Sequence, residues 1–157
     1  HGSSQTDTHL GIADVSNSWT ETELIPYQAL IDRQMVDMIM TSHVFNAQLD
    51  SVYPATLSKK ILTDLLRNKM GYNGVIVTDD LAMGAMTKHY SLEDMLELAI
   101  LAGADILCLS NNGTTYDPDI APKAVQIIYN KVIDGKISRE RIHQSYERIQ
   151  KLKNKIQ

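Results

Sequence analysis

Gly74-Val75-Ile76-Val77-Thr78-Asp79-Asp80-Leu81-Ala82-Met83 decides the fold. A β-branched apolar run stops abruptly at two carboxylates. Val75, Ile76 and Val77 read as a strand buried on both faces, as parallel strands covered by helices are. An Asp at the carboxyl end of such a strand stands where α/β barrels place their chemistry. Either carboxylate could instead cap the helix that follows.

Two further apolar runs flank this one, Met35 to Met40 and Ile106 to Leu109. The spacing is that of βα units. Strands are therefore predicted near 36–42, 74–79 and 104–110, parallel and adjacent. Helical patterns lie before, between and after them. Thr20 with Glu23 forms a capping box for a helix to about Arg33. Ile61, Leu62, Leu65, Leu66 and Met70 share the face of a second helix that stops at Gly71. A third starts at Ser91 and stops at Gly103, with Met95, Leu96, Ala99 and Ile100 inward. Two more cover about 119–134 and 139–155, punctuated by Gly135 and Ser138. Alternating strands and helices predict an α/β fold with a parallel sheet. No Gly-rich loop follows a strand, so a dinucleotide fingerprint is absent. Three strands are few, because a closed eight-stranded barrel takes about 250 residues. The pattern fits a small open sheet or the C-terminal part of a barrel.

The chain of 157 residues carries a net charge of −4. No basic stripe is visible, which argues against a nucleic-acid partner. Lys151, Lys153 and Lys155 read as the solvated face of the last helix. The single cysteine, Cys108, excludes a disulfide within the chain and reads as a small buried hydrophobe. No zinc-ligand spacing occurs, and no stretch nears the roughly 18 apolar residues of a membrane span. No cofactor or metal is expected.

Asp7-Thr8-His9 lies in a polar stretch that reads as a loop. An Asp two residues from a His can bond one ring nitrogen, which fixes the tautomer and raises the basicity of the other. His43 follows Met40-Thr41-Ser42 at the carboxyl end of another predicted strand. His89 and His143 read as surface residues. Asn111-Asn112-Gly113 and Tyr116 fall in the loop after the last strand, on the rim that carries Asp79, with turn formation their expected role.

In order along residues 1 to about 152 stand His1-Gly2, Asp7-Thr8-His9, Met40-Thr41-Ser42-His43, Pro54-Ala55-Thr56-Leu57-Ser58 and Gly71 to Met83. Ala102-Gly103-Ala104-Asp105 and Gly135-Lys136-Ile137-Ser138-Arg139-Glu140-Arg141-Ile142 follow. This ordered set resembles family 3 glycoside hydrolases, in the branch of β-N-acetylglucosaminidases that act on peptidoglycan fragments. The resemblance implies the C-terminal part of a (β/α)8 barrel of the TIM type. Residues 1–157 would then be one incomplete domain, from the loop after the fifth strand through the eighth strand and terminal helices. The upstream half would lie outside the chain and be its partner, with a small carbohydrate as substrate.

The resemblance also assigns roles. Asp79 matches the catalytic nucleophile. His9 matches the acid/base, with Asp7 orienting it. Asp80 is a neighbouring position that need not be acidic. His1-Gly2 matches the end of a Lys-His-Phe-Pro-Gly-His-Gly motif, and His1 and His43 are expected at the substrate. The implied reaction is retaining hydrolysis of terminal β-linked N-acetylglucosamine through a covalent glycosyl-enzyme. A histidine base does not repel an anionic acceptor, so phosphorolysis is an alternative. A non-catalytic sugar-binding or assembly half-barrel is another.

Overall fold

A computed structural model describes residues 3–4, 6–112 and 116–155. In chain order it contains β1 (Ala13–Asp14), a 3-10 turn Glu21–Leu24 running into α1 (Ile25–Asp32), β2 (Met38–Met40) and β3 (Val44–Phe45). A 3-10 turn Ala55–Leu57 and a π-helical segment Lys60–Lys69 follow. Then come β4 (Val75–Val77), α2 (Gly84–Thr87), α3 (Leu92–Ala102), α4 (Ile120–Ile133) and α5 (Arg139–Lys155). The fold is α/β, with parallel strands and covering helices, and it forms part of a (β/α)8 barrel of the TIM type.

The central pairing is β2 with β4, parallel, with Met38 opposite Val75, Ile39 opposite Ile76 and Met40 opposite Val77. The third apolar run joins the other edge of β4 through one parallel bridge, Val77 to Ile106. All three predicted runs are thus parallel neighbours. The third is not the continuous strand expected over 104–110: it bonds the backbone of β4 at Ile106, and beyond that its amides meet side chains. The Cys108 amide donates to Thr78 Oγ1 (2.9 Å), and the Ser110 amide to Asp80 Oδ1 (3.0 Å).

A second parallel pair, Ala13 with Val44 and Asp14 with Phe45, gave no sequence signal. Its strands are two residues long, too short for a period to show. Ala13, Val15 and Val44 bury themselves there in a small separate cluster under Trp19 and Ala55.

The main core packs helices against one face of the sheet. Ile76, Leu81, Met86, Leu96 and Ala99 are fully buried. Each large aliphatic side chain so buried contributes roughly 1.5–3 kcal/mol by area. β4 is buried along its whole length, as its β-branched run predicts. β2 differs: Ile39 packs on the core while Met38 and Met40 stay exposed, Met40 at 61%.

Local signals explain the helix ends. The Thr20 amide donates to Glu23 Oε1 (3.3 Å), the backbone half of the predicted capping box. The turn it starts is a tight one, and the α-helix proper begins at Ile25, with Pro26 in its first turn. Ser91 Oγ accepts from the Asp94 amide (3.1 Å) and caps α3. Gly103 ends α3 with φ of 125°, and a Cβ there would stand 2.9 Å from Thr63 Oγ1. The second predicted helix is wider than a regular α-helix: the Met70 amide reaches Leu65 O, five residues back (2.9 Å). A short helix, α2, was not expected, since four residues carry no periodicity.

Asp105, its side chain completely buried, sits at the amino ends of the strands. Its Oδ2 accepts from Arg67 Nη2 (2.6 Å) and the Ile76 amide (3.0 Å). Its Oδ1 accepts from Ser145 Oγ (2.8 Å) and Arg148 Nη1 (3.1 Å), with Arg141 Nη2 at 3.5 Å. Arg67 also donates to Gly74 O and Gly103 O, and Arg141 to Ile100 O and Ala104 O. Burial pushes both guanidinium pKa values down and Asp105 pushes back. The cluster joins the π-helical segment, β4, α3 and α5 at one carboxylate. Lys155 is exposed, as expected, and pairs on the surface with Asp37. Among the described residues, no helix is long and apolar enough to cross a membrane.

Candidate active site

The carboxyl end of β4 brings Thr78, Asp79 and Asp80 to the rim opposite the Asp105 cluster. The two adjacent carboxylates have opposite surroundings. Asp80 is fully engaged: Oδ1 accepts from the Ala82 and Ser110 amides (3.0 Å each), and Oδ2 from the Ser110 hydroxyl. Burial acts to raise its pKa, but the bonds from Ser110 and Ala82 outweigh it and hold the carboxyl below its usual value. Asp80 therefore shapes the turn after the strand and ties it to the third run. The sequence reading of a capping role is close, with Ser110 the partner it did not name.

Asp79 accepts one hydrogen bond at its carboxylate, from the next residue's amide to Oδ1 (2.8 Å). Among the described residues, nothing else bonds that carboxylate, and Oδ2 is open. Its own amide donates to Thr41 Oγ1 (3.3 Å).

Asp7 and His9 form the predicted pair. His9 Nδ1 lies 2.8 Å from Asp7 Oδ1, which also accepts the His9 amide (2.9 Å). These two bonds hold the Asp7 carboxyl below its usual pKa. With Nδ1 facing Asp7, Nε2 points away and is free to work. Both side chains are exposed. The loop is anchored through its backbone: the Gly84 amide donates to His9 O (3.1 Å) and the Ala85 amide to Thr8 O (3.3 Å). Lys88 Nζ adds a bond to Leu10 O (2.6 Å). Gly84 permits this approach, because a Cβ there would stand 2.5 Å from His9 O. The acid/base candidate is thus docked on α2, which starts five residues after Asp79.

His43 stands past the carboxyl end of β2, as the sequence reading expects, but its ring turns inward. It is fully buried, with Nδ1 2.9 Å from Thr56 Oγ1 and Nε2 2.8 Å from Asp80 O. Both ring nitrogens face protein partners. Thr41 and Thr56 lie in motifs quoted above but received no role there. His1 and Gly113 lie outside the described residues. Asn111 bridges its loop as expected, donating to Asp117 O (2.7 Å) and accepting the Asp117 amide (2.9 Å). His89 is exposed, and His143 pairs with Glu147 on the surface. The described residues hold no cluster of three or more His, Cys, Asp or Glu side chains fit for a metal ion.

Known proteins share this sequence pattern and fold. The sequence family described as "Glycosyl hydrolase family 3 N terminal domain" matches residues 1–152. A β-hexosaminidase of Tolumonas auensis is 37% identical over 115 residues, covering 71% of this chain and 34% of that protein. The glycoside hydrolase family 3 β-N-acetylglucosaminidase of Paenibacillus sp. str. FPU-7 superposes with a TM-score of 0.84 at 32% identity, over 96% of this chain and 28% of that one. CbsA of Thermotoga neapolitana superposes at 0.86 and 28% identity, over 96% and 33%. The chain spans about a third of the length of the relatives it matches.

Proposed function

The chain belongs to glycosyl hydrolase family 3, and on that premise we propose that it carries the nucleophile and the acid/base of a retaining β-N-acetylglucosaminidase. The observation that carries this reading is the contrast between adjacent carboxylates. Asp80 is saturated by protein donors, whereas Asp79 keeps an open oxygen at the strand end. The activity is proposed for a complete barrel, in which an upstream half pairs with these strands. The substrate class is terminal β-linked N-acetylglucosamine, with peptidoglycan fragments its proposed source.

Ionised Asp79 attacks the anomeric carbon, forming a carbon–oxygen ester bond as the glycosidic bond breaks. Nε2 of protonated His9 gives its proton to the departing oxygen. A water then loses a proton to the same nitrogen and attacks the anomeric carbon, and Asp79 leaves as carboxylate. Asp7 keeps the ring aimed through Nδ1. An imidazole ordinarily titrates near pH 6.5 and can serve as acid and then base without strong tuning. Carrying no negative charge as a base, it also tolerates anionic groups nearby.

Asp79→Asn should keep the fold and lose turnover on an aryl N-acetyl-β-glucosaminide by orders of magnitude. His9→Ala should harm substrates with poor leaving groups most, and azide should restore turnover on activated ones. A 2-fluoro sugar trapped on Asp80 in place of Asp79, or equal loss on all substrates without rescue, would overturn the assignment.

A further inference from the structure

Behind Asp79 and Asp80 runs a closed chain of buried hydrogen bonds. The Asp79 amide reaches Thr41 Oγ1 at 3.3 Å. Thr41 Oγ1 is 2.8 Å from Thr56 Oγ1, which is 2.9 Å from His43 Nδ1. His43 Nε2 is 2.8 Å from Asp80 O. All three side chains are buried. The direction of the chain follows from its ends. A carbonyl only accepts, so His43 Nε2 bears a hydrogen. An amide only donates, so Thr41 Oγ1 accepts from Asp79. Thr56 has one hydrogen and two acceptors in reach, His43 Nδ1 at 2.9 Å and Ser42 O at 3.1 Å, and in a neutral ring Nδ1 is bare and takes the shorter bond. Thr56 in turn accepts from Thr41. Each hydroxyl donates once and accepts once. The chain leaves the N–H of Asp79 and returns to the C=O of Asp80.

Resting on the reading of Asp79 as nucleophile, we propose that His43, Thr56 and Thr41 are positioning residues that clamp the Asp79–Asp80 backbone and so aim the Asp79 carboxylate. Thr56 is the hub, because it joins the end of β2 to His43. The loop that carries it is fixed in turn by buried Asp50. That carboxylate accepts from the Ser58 hydroxyl (2.6 Å) and the Val52 amide (2.9 Å). Neutral, aligned donors and acceptors strengthen one another in a dry interior, so removing one link weakens the others. Every polar side-chain atom of the device faces a protein partner. It should therefore act on kcat and leave KM alone, since misplacing a reacting group by about 1 Å can cost roughly 100-fold in rate.

Thr56→Val and Thr56→Ser in the full-length protein test this, with Asp79→Asn as control. Thr56→Val removes the hub hydroxyl, and Thr56→Ser keeps it. Turnover of an aryl N-acetyl-β-glucosaminide should fall about tenfold or more in Thr56→Val, with KM within about twofold, and return in Thr56→Ser. Independently of any variant, nitrogen-15 NMR of labelled histidine should find the hydrogen on His43 Nε2 that the bond to Asp80 O requires, and a bare Nε2 would overturn the clamp. That measurement decides the matter even if Thr56→Val fails to fold. Unchanged kcat in a folded Thr56→Val, a loss carried by KM, or a hydrogen on Nδ1 of neutral His43 would overturn the relay. If Asp79→Asn stays active, it is the assignment of the nucleophile that has failed. If Asp79→Asn is dead and Thr56→Val is untouched, the relay alone has failed.

Discussion

Replacing Asp105 with asparagine changes almost no volume and removes one charge, at a point where three guanidinium groups converge. Arg67, Arg141 and Arg148 are 9%, 15% and 24% exposed around a carboxylate that water does not reach. Both oxygens accept at present, Oδ2 from Arg67 and the Ile76 amide, Oδ1 from Ser145 and Arg148. An amide turned either way aims its own N–H hydrogens at two of those donors. The arginines are left mutually repulsive and poorly hydrated. Removing one partner from a buried ion pair costs about 3–5 kcal/mol, because the remaining charge is uncompensated. For a domain of this size that corresponds to roughly 6–20 °C in Tm. Arg148→Met provides the opposite test. Arg148 is the most exposed of the three, and its charge already opposes those of Arg67 and Arg141. Its loss leaves one carboxylate between two arginines and should cost under about 1 kcal/mol. Thermal and urea unfolding followed by circular dichroism would measure both. If Asp105→Asn cost no more than about 0.5 kcal/mol, as an ordinary surface change does, or if Arg148→Met cost as much as Asp105→Asn, the charge argument would be wrong.

Gly84→Ala should push the His9 loop outward, since the new Cβ would meet His9 O at 2.5 Å. We expect a folded protein with turnover down by as much as about 100-fold, and unaltered kinetics would show that the loop is not held in its working place there. Acid should weaken the fold in a defined window. At Asp50 and Asp80 burial works to raise the pKa, but hydrogen bonds, chiefly from Ser58 and Ser110, outweigh it and hold both carboxyls below 3.8 in the folded chain. Their stabilisation is complete above that value and is lost as pH falls through the folded pKa values. Urea midpoints measured from about pH 5 downward should therefore drop, and Asp50→Asn should flatten that limb.

The features legible in the sequence are those with a period or a sharp stop. The run Val75–Val77 ending at two carboxylates, the Ser91 cap, and Gly71, Gly103 and Gly135 each determine a local geometry by themselves. The pairing of Asp7 with His9 was visible because two residues of spacing suffice to make it. Two-residue strands and a four-residue helix were not visible, since nothing repeats within them. The third strand was overread because Thr78 and Asp80 supply the acceptors that a neighbouring backbone would have given. His43 illustrates the limit most clearly. Its place at a strand end was correct, but its direction is set by Thr56, 13 residues on, and by the Asp80 carbonyl, 37 residues on. No local pattern records a contact at that distance.

The arginine cluster has a further consequence, for the order in which the chain comes apart. α5 buries none of its residues completely and gives none to either apolar cluster. Arg141, Ser145 and Arg148 reach inward from it to Asp105, 36 to 43 positions back along the chain. A helix held by a polar clasp and not by an oily face forms its attachment late, after the carboxylate has been enclosed. It can also leave early, opening as a unit while β4 and α3 stay shut. Amide exchange along α5 should then outpace that of Leu96 and Ala99, and α5 becomes the place at which unfolding, and any protease, begins.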